Sequence, residues 1–348
     1  MSLKQRITEL IAETGPIPVS QYMALCLFDP TAGYYTTREP FGVKGDFTTA
    51  PEISQMFGEL VAVWLASAWQ AAGAPQDAIL TEIGPGRGTL MRDMLRTLAR
   101  IAPDLTRRVA LIETSPRLTA IQKETLGETS ATWHRDISEL PGAPLFIVGN
   151  ELFDAIPIRQ FVKTPQGWRE RCVGLDADGA LAFVAGPGTT DAALPDAPNG
   201  AIFEIAPARN ALMQEIAERI STHGGAGLFI DYGHLQTGVG DTLQAMRAHA
   251  HVDVLATPGE ADLTSHVDFA ALGAAAGAGR LEMRTMTQAR FLLGMGLLER
   301  AGQLGAGGDA GLQERLRGEV ERLAGPDEMG ELFKVLMVGK DVANLPPQ

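Results

Sequence analysis

The sequence predicts an α/β protein built on a doubly wound, mostly parallel sheet, and three observations carry that expectation. First, the apolar run Ala78-Ile79-Leu80 feeds Thr81-Glu82-Ile83-Gly84-Pro85-Gly86-Arg87-Gly88-Thr89, and Leu90, Met94, Leu95 and Leu98 leave it at helical spacing. That is strand, glycine-rich turn, helix. Second, short apolar runs recur at 108–113, 131–134, 144–149 and 226–231, alternating with helical stretches as parallel strands do. Third, 348 residues with 45% hydrophobic content suffice to bury a large core.

Each element follows from its local pattern. Residues 2–14 put Leu3, Ile7, Leu10 and Ile11 on one helical face, and Gly15-Pro16-Ile17-Pro18 stops that helix. A second helix is expected over 19–28, with Ser20 as its N-cap and Asp29-Pro30 as its end. Gly33-Tyr34-Tyr35 and residues 42–52 read as an ordered loop, too rich in glycine and polar residues for a core element. Residues 53–72 read as one long helix whose Trp64 and Trp69 belong to the core. Beyond the strand at 144–149, the stretches 159–162, 168–173 and 181–184 form an inserted antiparallel meander. The turns Pro165-Gln166-Gly167 and Asp176-Ala177-Asp178-Gly179 separate them. Residues 186–200 read as a surface loop and 208–220 as a helix. The last strands, 281–286 and 333–338, are expected to form an antiparallel pair at the sheet edge. Helices at 289–300 and 312–323 lie between them, broken by Gly305-Ala306-Gly307-Gly308. The expected domains are therefore a helical cover over 1–75 and a sheet domain over 76–348. The latter carries a meander insertion at about 157–205 and a helical insertion at about 288–325.

Composition narrows the function. A net charge of −13 argues against a general nucleic-acid binder, which needs a basic face. Two distant cysteines, Cys26 and Cys172, make no disulfide framework and suggest a reducing compartment. No stretch reads as a transmembrane helix. His249, His251, Asp262, His266 and Asp268 are of metal-ligating types, yet their spacing matches no metal site, and no metal is expected.

The glycine turn separates two cofactors. A dinucleotide turn reads Gly-x-Gly-x-x-Gly and seats a pyrophosphate on the helix N-terminus. Here the third glycine, Gly88, comes one position early and Thr89 occupies the place of the last. The acid Glu82 would repel a pyrophosphate but could hold an ammonium group. S-adenosylmethionine carries an amino-acid head and no phosphate, so Glu82, Gly84, Gly86 and Gly88 point to it. Glu113 ends the next strand about 25 residues on, close to where a doubly wound fold grips ribose hydroxyls. Asp136 is a candidate for the adenine amine, and equally a helix cap. The apolar strand 144–149 runs into Asn150-Glu151-Leu152-Phe153-Asp154. Ligands of open parallel sheets bind beyond the carboxyl ends of the strands. Asn150, Glu151 and Asp154 are thus the catalytic candidates, with an N-cap cluster as the alternative.

These motifs identify a resemblance. Phe28-Asp29-Pro30, Gly33-Tyr34-Tyr35, Gly45-Asp46-Phe47-Thr48-Thr49-Ala50-Pro51-Glu52, Glu82 to Gly88, Asn150 to Ala155, Asp231-Tyr232-Gly233 and Asp262 to Phe269 together resemble the MidA family of class I S-adenosylmethionine-dependent methyltransferases. The likeness runs from about Pro16 to Gly339. It implies a Rossmann-like seven-stranded sheet, an N-terminal helical cover and an inserted antiparallel substrate region. It also implies cofactor contacts from Gly45, Asp46 and Thr48, in a loop that folds over the cofactor, and from Asn150. By the same resemblance Glu151 matches the glutamate with which symmetric arginine methyltransferases grip a guanidinium. His266 or Asp231 would be the later proton acceptor. The implied partner is a protein substrate, a 49-kDa-type subunit of respiratory complex I. A small-molecule or RNA acceptor, and a non-catalytic assembly chaperone that binds the cofactor, stay open. The sequence starts directly in its first helix without an Arg- and Ser-rich leader, so a bacterial, cytoplasmic protein is expected.

Overall fold

The computed structural model describes residues 1–38, 48–277 and 281–347. It packs as two units. One holds the described residues of Met1–Phe47 with Phe153–Ala211 and Gln236–His266, and the other holds Thr48–Leu152, Leu212–Leu235 and Val267–Gln348.

The second unit contains the parallel sheet. Its seven main strands are β1 (Ile79–Ile83), β2 (Val109–Ile112), β3 (Ala131–His134), β4 (Leu145–Asn150), β5 (Gly225–His234), β6 (Glu282–Thr287) and β7 (Phe333–Gly339). They lie in the order β6-β7-β5-β4-β1-β2-β3, and a two-residue strand, Val267–Asp268, adds to the end of β5. The first five strands pair in parallel. Only β7 runs against its neighbours, β5 and β6. The expected antiparallel pair exists, but β7 is interior and β6 alone forms that edge. Val335 to Val338 are all fully buried, as a strand covered on both faces must be.

The strand order reverses between β1 and β4. From β1 the chain winds outward through β2 and β3, then returns to β4 on the other side of β1. Such a reversal opens a crevice at the carboxyl ends of the two strands, because their following connections depart in opposite directions.

Alternation along the strands builds the core. Leu80, Leu111, Phe146, Val148, Leu228 and Ile230 share one cluster with Trp64 and Trp69 from the helix Gln55–Ala71 and Leu90, Met94 and Leu98 from the helix Thr89–Ile101. Burying each such side chain stabilises by about 1.5–3 kcal/mol. The long helix expected at 53–72 is divided. Ser54 ends a short helix, Ala50–Ile53, and caps Gln55–Ala71 by accepting from the Met56 N–H.

In the first unit, the helix Leu3–Thr14 starts with a capping box from Ser2 and Gln5. The second helix spans Val19–Phe28 as expected, but Pro18 rather than Ser20 occupies its N-cap position. Tyr34–Thr37 is a short helix and not loop. The meander is present at Arg159–Thr164, Gly167–Leu175 and Leu181–Ala185. It gains two strands that the sequence hides: Ile202–Ile205, and Ile17–Pro18 pairing with Gly167–Leu175. A separate three-stranded sheet comprises Gln244–Arg247, Ala250–Val252 and Asp262–Thr264.

Candidate active site

The glycine turn sits at the carboxyl end of β1, on the crevice. Gly84, Gly86 and Gly88 have φ of 66°, 52° and 82°. Any L side chain is disfavoured there, and three such residues in five demand glycine. Gly88 is also the N-cap of the helix Thr89–Ile101 and supplies no side-chain cap. The Gly84 N–H donates to the Ile112 carbonyl at 3.1 Å, which ties the turn to β2.

A buried glutamine that the sequence did not single out braces this turn. Gln122 lies on the helix Pro116–Leu126 and is fully buried. Its Nε2 donates to the Gly86 carbonyl at 2.9 Å and to Glu113 Oε2 at 3.0 Å, while its Oε1 accepts from Trp133 Nε1 at 3.0 Å. Glu113 Oε1 also accepts the Ser115 N–H at 2.7 Å. The carboxylate expected to meet a ribose is therefore fixed beside the glycine turn. Burial pushes its pKa up, and its hydrogen bonds oppose that rise. Nothing in local sequence periodicity marks one glutamine on a helix as a brace.

Glu82 sits deeper than an exposed rim would place it. Strand alternation puts it on the same side as Leu80, and packing on both faces of β1 buries all five residues of the strand, Glu82 among them. Burial raises its pKa well above the ordinary carboxylate value, and a hydrogen bond from the Met91 backbone opposes this. Its Oε2 has no hydrogen-bond partner among the described residues.

Beside the turn, β4 ends in Asn150 and Glu151. Among the described residues, Glu151 is one of the few non-glycine residues at positive φ, 49°. Such backbone costs of order 1–2 kcal/mol and persists where the surroundings over-determine it. Three hydrogen bonds do so here. The Glu151 N–H donates to the Ile230 carbonyl at 2.9 Å. Glu151 Oε1 accepts from Asn150 Nδ2 at 3.1 Å and from the Ala50 N–H at 3.3 Å. A β-carbon on Gly84 would approach Leu152 Cδ1 to 2.9 Å, so the ends of β1 and β4 touch directly. Asp231 is fully buried on β5 next to Ile230. Thr48 is half-buried, whereas Gly45 and Asp46 lie outside the described residues.

Asp136 is exposed and caps the short 3-10 helix Ile137–Glu139 through Ser138, whose hydrogen bonds lower its pKa. Asp154 and His266 belong to the first unit, where the Ser265 N–H donates to the Asp154 carbonyl at 3.2 Å. Among the described residues no group of three or more His, Cys, Asp or Glu could hold a metal ion, and no helix is long and apolar enough to cross a membrane.

The pattern of the family described as "Putative S-adenosyl-L-methionine-dependent methyltransferase" matches residues 60–287. The chain belongs to this family. It is 38% identical to the rat protein arginine methyltransferase NDUFAF7, mitochondrial, over 93% of its length and 81% of that protein's. The human protein of the same name is 36% identical over 93% of this chain and 80% of its own. A crystal structure from Burkholderia thailandensis with S-adenosyl-homocysteine bound superposes with a TM-score of 0.84. It shows 31% identity and covers 97% of this chain and 91% of that one. The protein is an S-adenosylmethionine-dependent methyltransferase with the expected class I fold, and S-adenosylmethionine is its cofactor. The expectation of a bacterial cytoplasmic protein is overturned: these curated relatives, and a Drosophila one at 35% identity, are mitochondrial proteins of eukaryotes. Where a sequence begins is no measure of compartment.

The family member's own residues suit this cofactor. The left-handed glycines leave the turn without side chains, and the buried Glu82 Oε2 just before it has no hydrogen-bond partner among the described residues, which suits an ammonium group and not a phosphate.

Proposed function

We propose that the protein methylates an ω-nitrogen of arginine in a protein substrate, with a 49-kDa-type subunit of respiratory complex I as the acceptor and symmetric dimethylarginine as the product. The observation that carries this reading is Glu151, a carboxylate held in a left-handed backbone at the crevice. The relatives named protein arginine methyltransferase support it.

The cofactor supplies an electrophilic methyl group on a sulfonium centre. Gly84, Gly86 and Gly88 would hold the cofactor, and Glu113 would take its ribose hydroxyls. Glu82, whose Oε2 has no hydrogen-bond partner among the described residues, would take the ammonium group, and Asp136 and Asn150 would complete the contacts. Thr48 would add a contact, with Gly45 and Asp46 as the further candidates from the same stretch of sequence. The acceptor chemistry falls to the carboxylates. A guanidinium has a pKa above about 12 and cannot simply be deprotonated beforehand. Glu151 draws the positive charge toward the nitrogens it binds, so the attacking nitrogen keeps more lone-pair character. Asp154 is the second carboxylate in this role, and Asn150 orients Glu151 through its amide. Their charge also offsets the cation that persists after transfer. His266 or Asp231 accepts the proton that the methylated nitrogen later releases.

The test is mass spectrometry of arginine methylation in cells with and without the protein. Symmetric dimethylarginine on the complex I subunit should vanish in its absence. Unchanged arginine methylation, with a methylated metabolite or RNA lost instead, would overturn the reading.

A further inference from the structure

The segments carrying Asp154 and His266 are more than 100 residues apart in the chain, yet one side chain holds both. Arg209, in the helix Pro207–His223, is only 1% exposed. Its Nε donates to the Ile156 carbonyl at 3.1 Å and its Nη1 to the His266 carbonyl at 2.9 Å. Its Nη2 donates to the Asp154 carbonyl at 2.9 Å and to Ser265 Oγ at 2.5 Å. The Ser265 N–H donates to the same Asp154 carbonyl, and the His266 N–H donates to Thr242 Oγ1 at 3.0 Å.

A guanidinium stays charged in any protein interior, and sinking it costs free energy unless its donors are satisfied. A hydrophobic side chain would fill the space at less cost. Spending a planar five-donor fork on three backbone carbonyls and a hydroxyl fixes the direction of two chain segments at once. Lysine, a point charge with three rotatable donors, could not reproduce that geometry.

We propose that Arg209 is a positioning residue, setting the segments 154–156 and 265–266 so that Asp154 and His266 meet the methyl acceptor in productive geometry. Ser265 is its partner in this. The inference rests on the roles given to Asp154 and His266 above.

Arg209→Met, Arg209→Lys and Ser265→Ala test it, each assayed as the full chain. Tritiated S-adenosylmethionine and the 49-kDa-type subunit are the probes, and turnover is expressed per S-adenosylhomocysteine-binding site measured by calorimetry. That normalisation removes losses due only to unfolded protein. Affinity for S-adenosylhomocysteine should stay within about two-fold, because the glycine turn belongs to the other packing unit. Turnover per site should fall about 100-fold in Arg209→Met, as for a misplaced catalytic group, with partial rescue in Arg209→Lys and a smaller loss in Ser265→Ala. Amide hydrogen exchange should accelerate at 154–156 and 265–266 and not at 84–89. Full turnover per site in Arg209→Met and Ser265→Ala would overturn the proposal, whatever their melting temperatures. If the wild type transfers no methyl to the subunit, the acceptor reading fails separately. Hydrogen exchange then decides, and unchanged exchange at both segments refutes Arg209.

Discussion

Glu151→Gln removes a charge and little else. Glutamine keeps an oxygen at the Oε1 position, able to accept from Asn150 Nδ2 and the Ala50 N–H at the observed 3.1 and 3.3 Å. It is as strained at a φ of 49° as glutamate, so the backbone cost cancels between the two proteins. Folding stability should therefore change by no more than about 1 kcal/mol. The catalytic loss is larger. A unit charge pair at ~4 Å is worth about 4 kcal/mol at an effective dielectric of ~20, and removing one group that stabilises developing charge costs about 3 kcal/mol in enzymes studied by mutation. At 1.36 kcal/mol per decade, kcat should fall by about 100- to 1000-fold. The assay is methyl transfer from tritiated S-adenosylmethionine to the complex I subunit at saturating donor, with S-adenosylhomocysteine affinity as the control. A kcat within three-fold of wild type, at normal affinity, would refute the reasoning. A collapse of cofactor affinity at normal kcat would assign Glu151 to the donor instead.

Gly86→Val places a β-branched residue at a φ of 52° and should abolish S-adenosylhomocysteine binding in calorimetry; normal affinity would place the cofactor elsewhere. Glu82 predicts a pH effect. Its folded pKa lies above the unfolded value of about 4.3, so its stabilising contribution is complete below that pH and is lost as pH rises toward the folded value. Glu82→Gln removes this loss, so in urea titrations of the cofactor-free protein the variant should gain on wild type from about pH 5 upward. A difference independent of pH would show that Glu82 is already charged in the fold.

Much of the fold is legible because its determinants are local. Turn chemistry and apolar runs place β1, β2, β3, β4 and β5 within a few residues of their observed ends. The glycine spacing and the acid before it identify the donor, since they report the backbone conformation and charge the ligand must meet. Glu151 is legible only as a residue at the end of an apolar strand; its left-handed backbone is not. Tertiary structure alone decided the rest, through partners far apart in sequence. It inserted β7 between β5 and β6, and it paired Ile17–Pro18 with Gly167–Leu175. It buried Glu82 and set Gln122 against the glycine turn. It closed Arg209 on carbonyls 53 to 57 residues away. A hydrogen bond across such a separation leaves no period in the chain. It exists only where packing has already brought donor and acceptor together and driven out the water that would otherwise satisfy both.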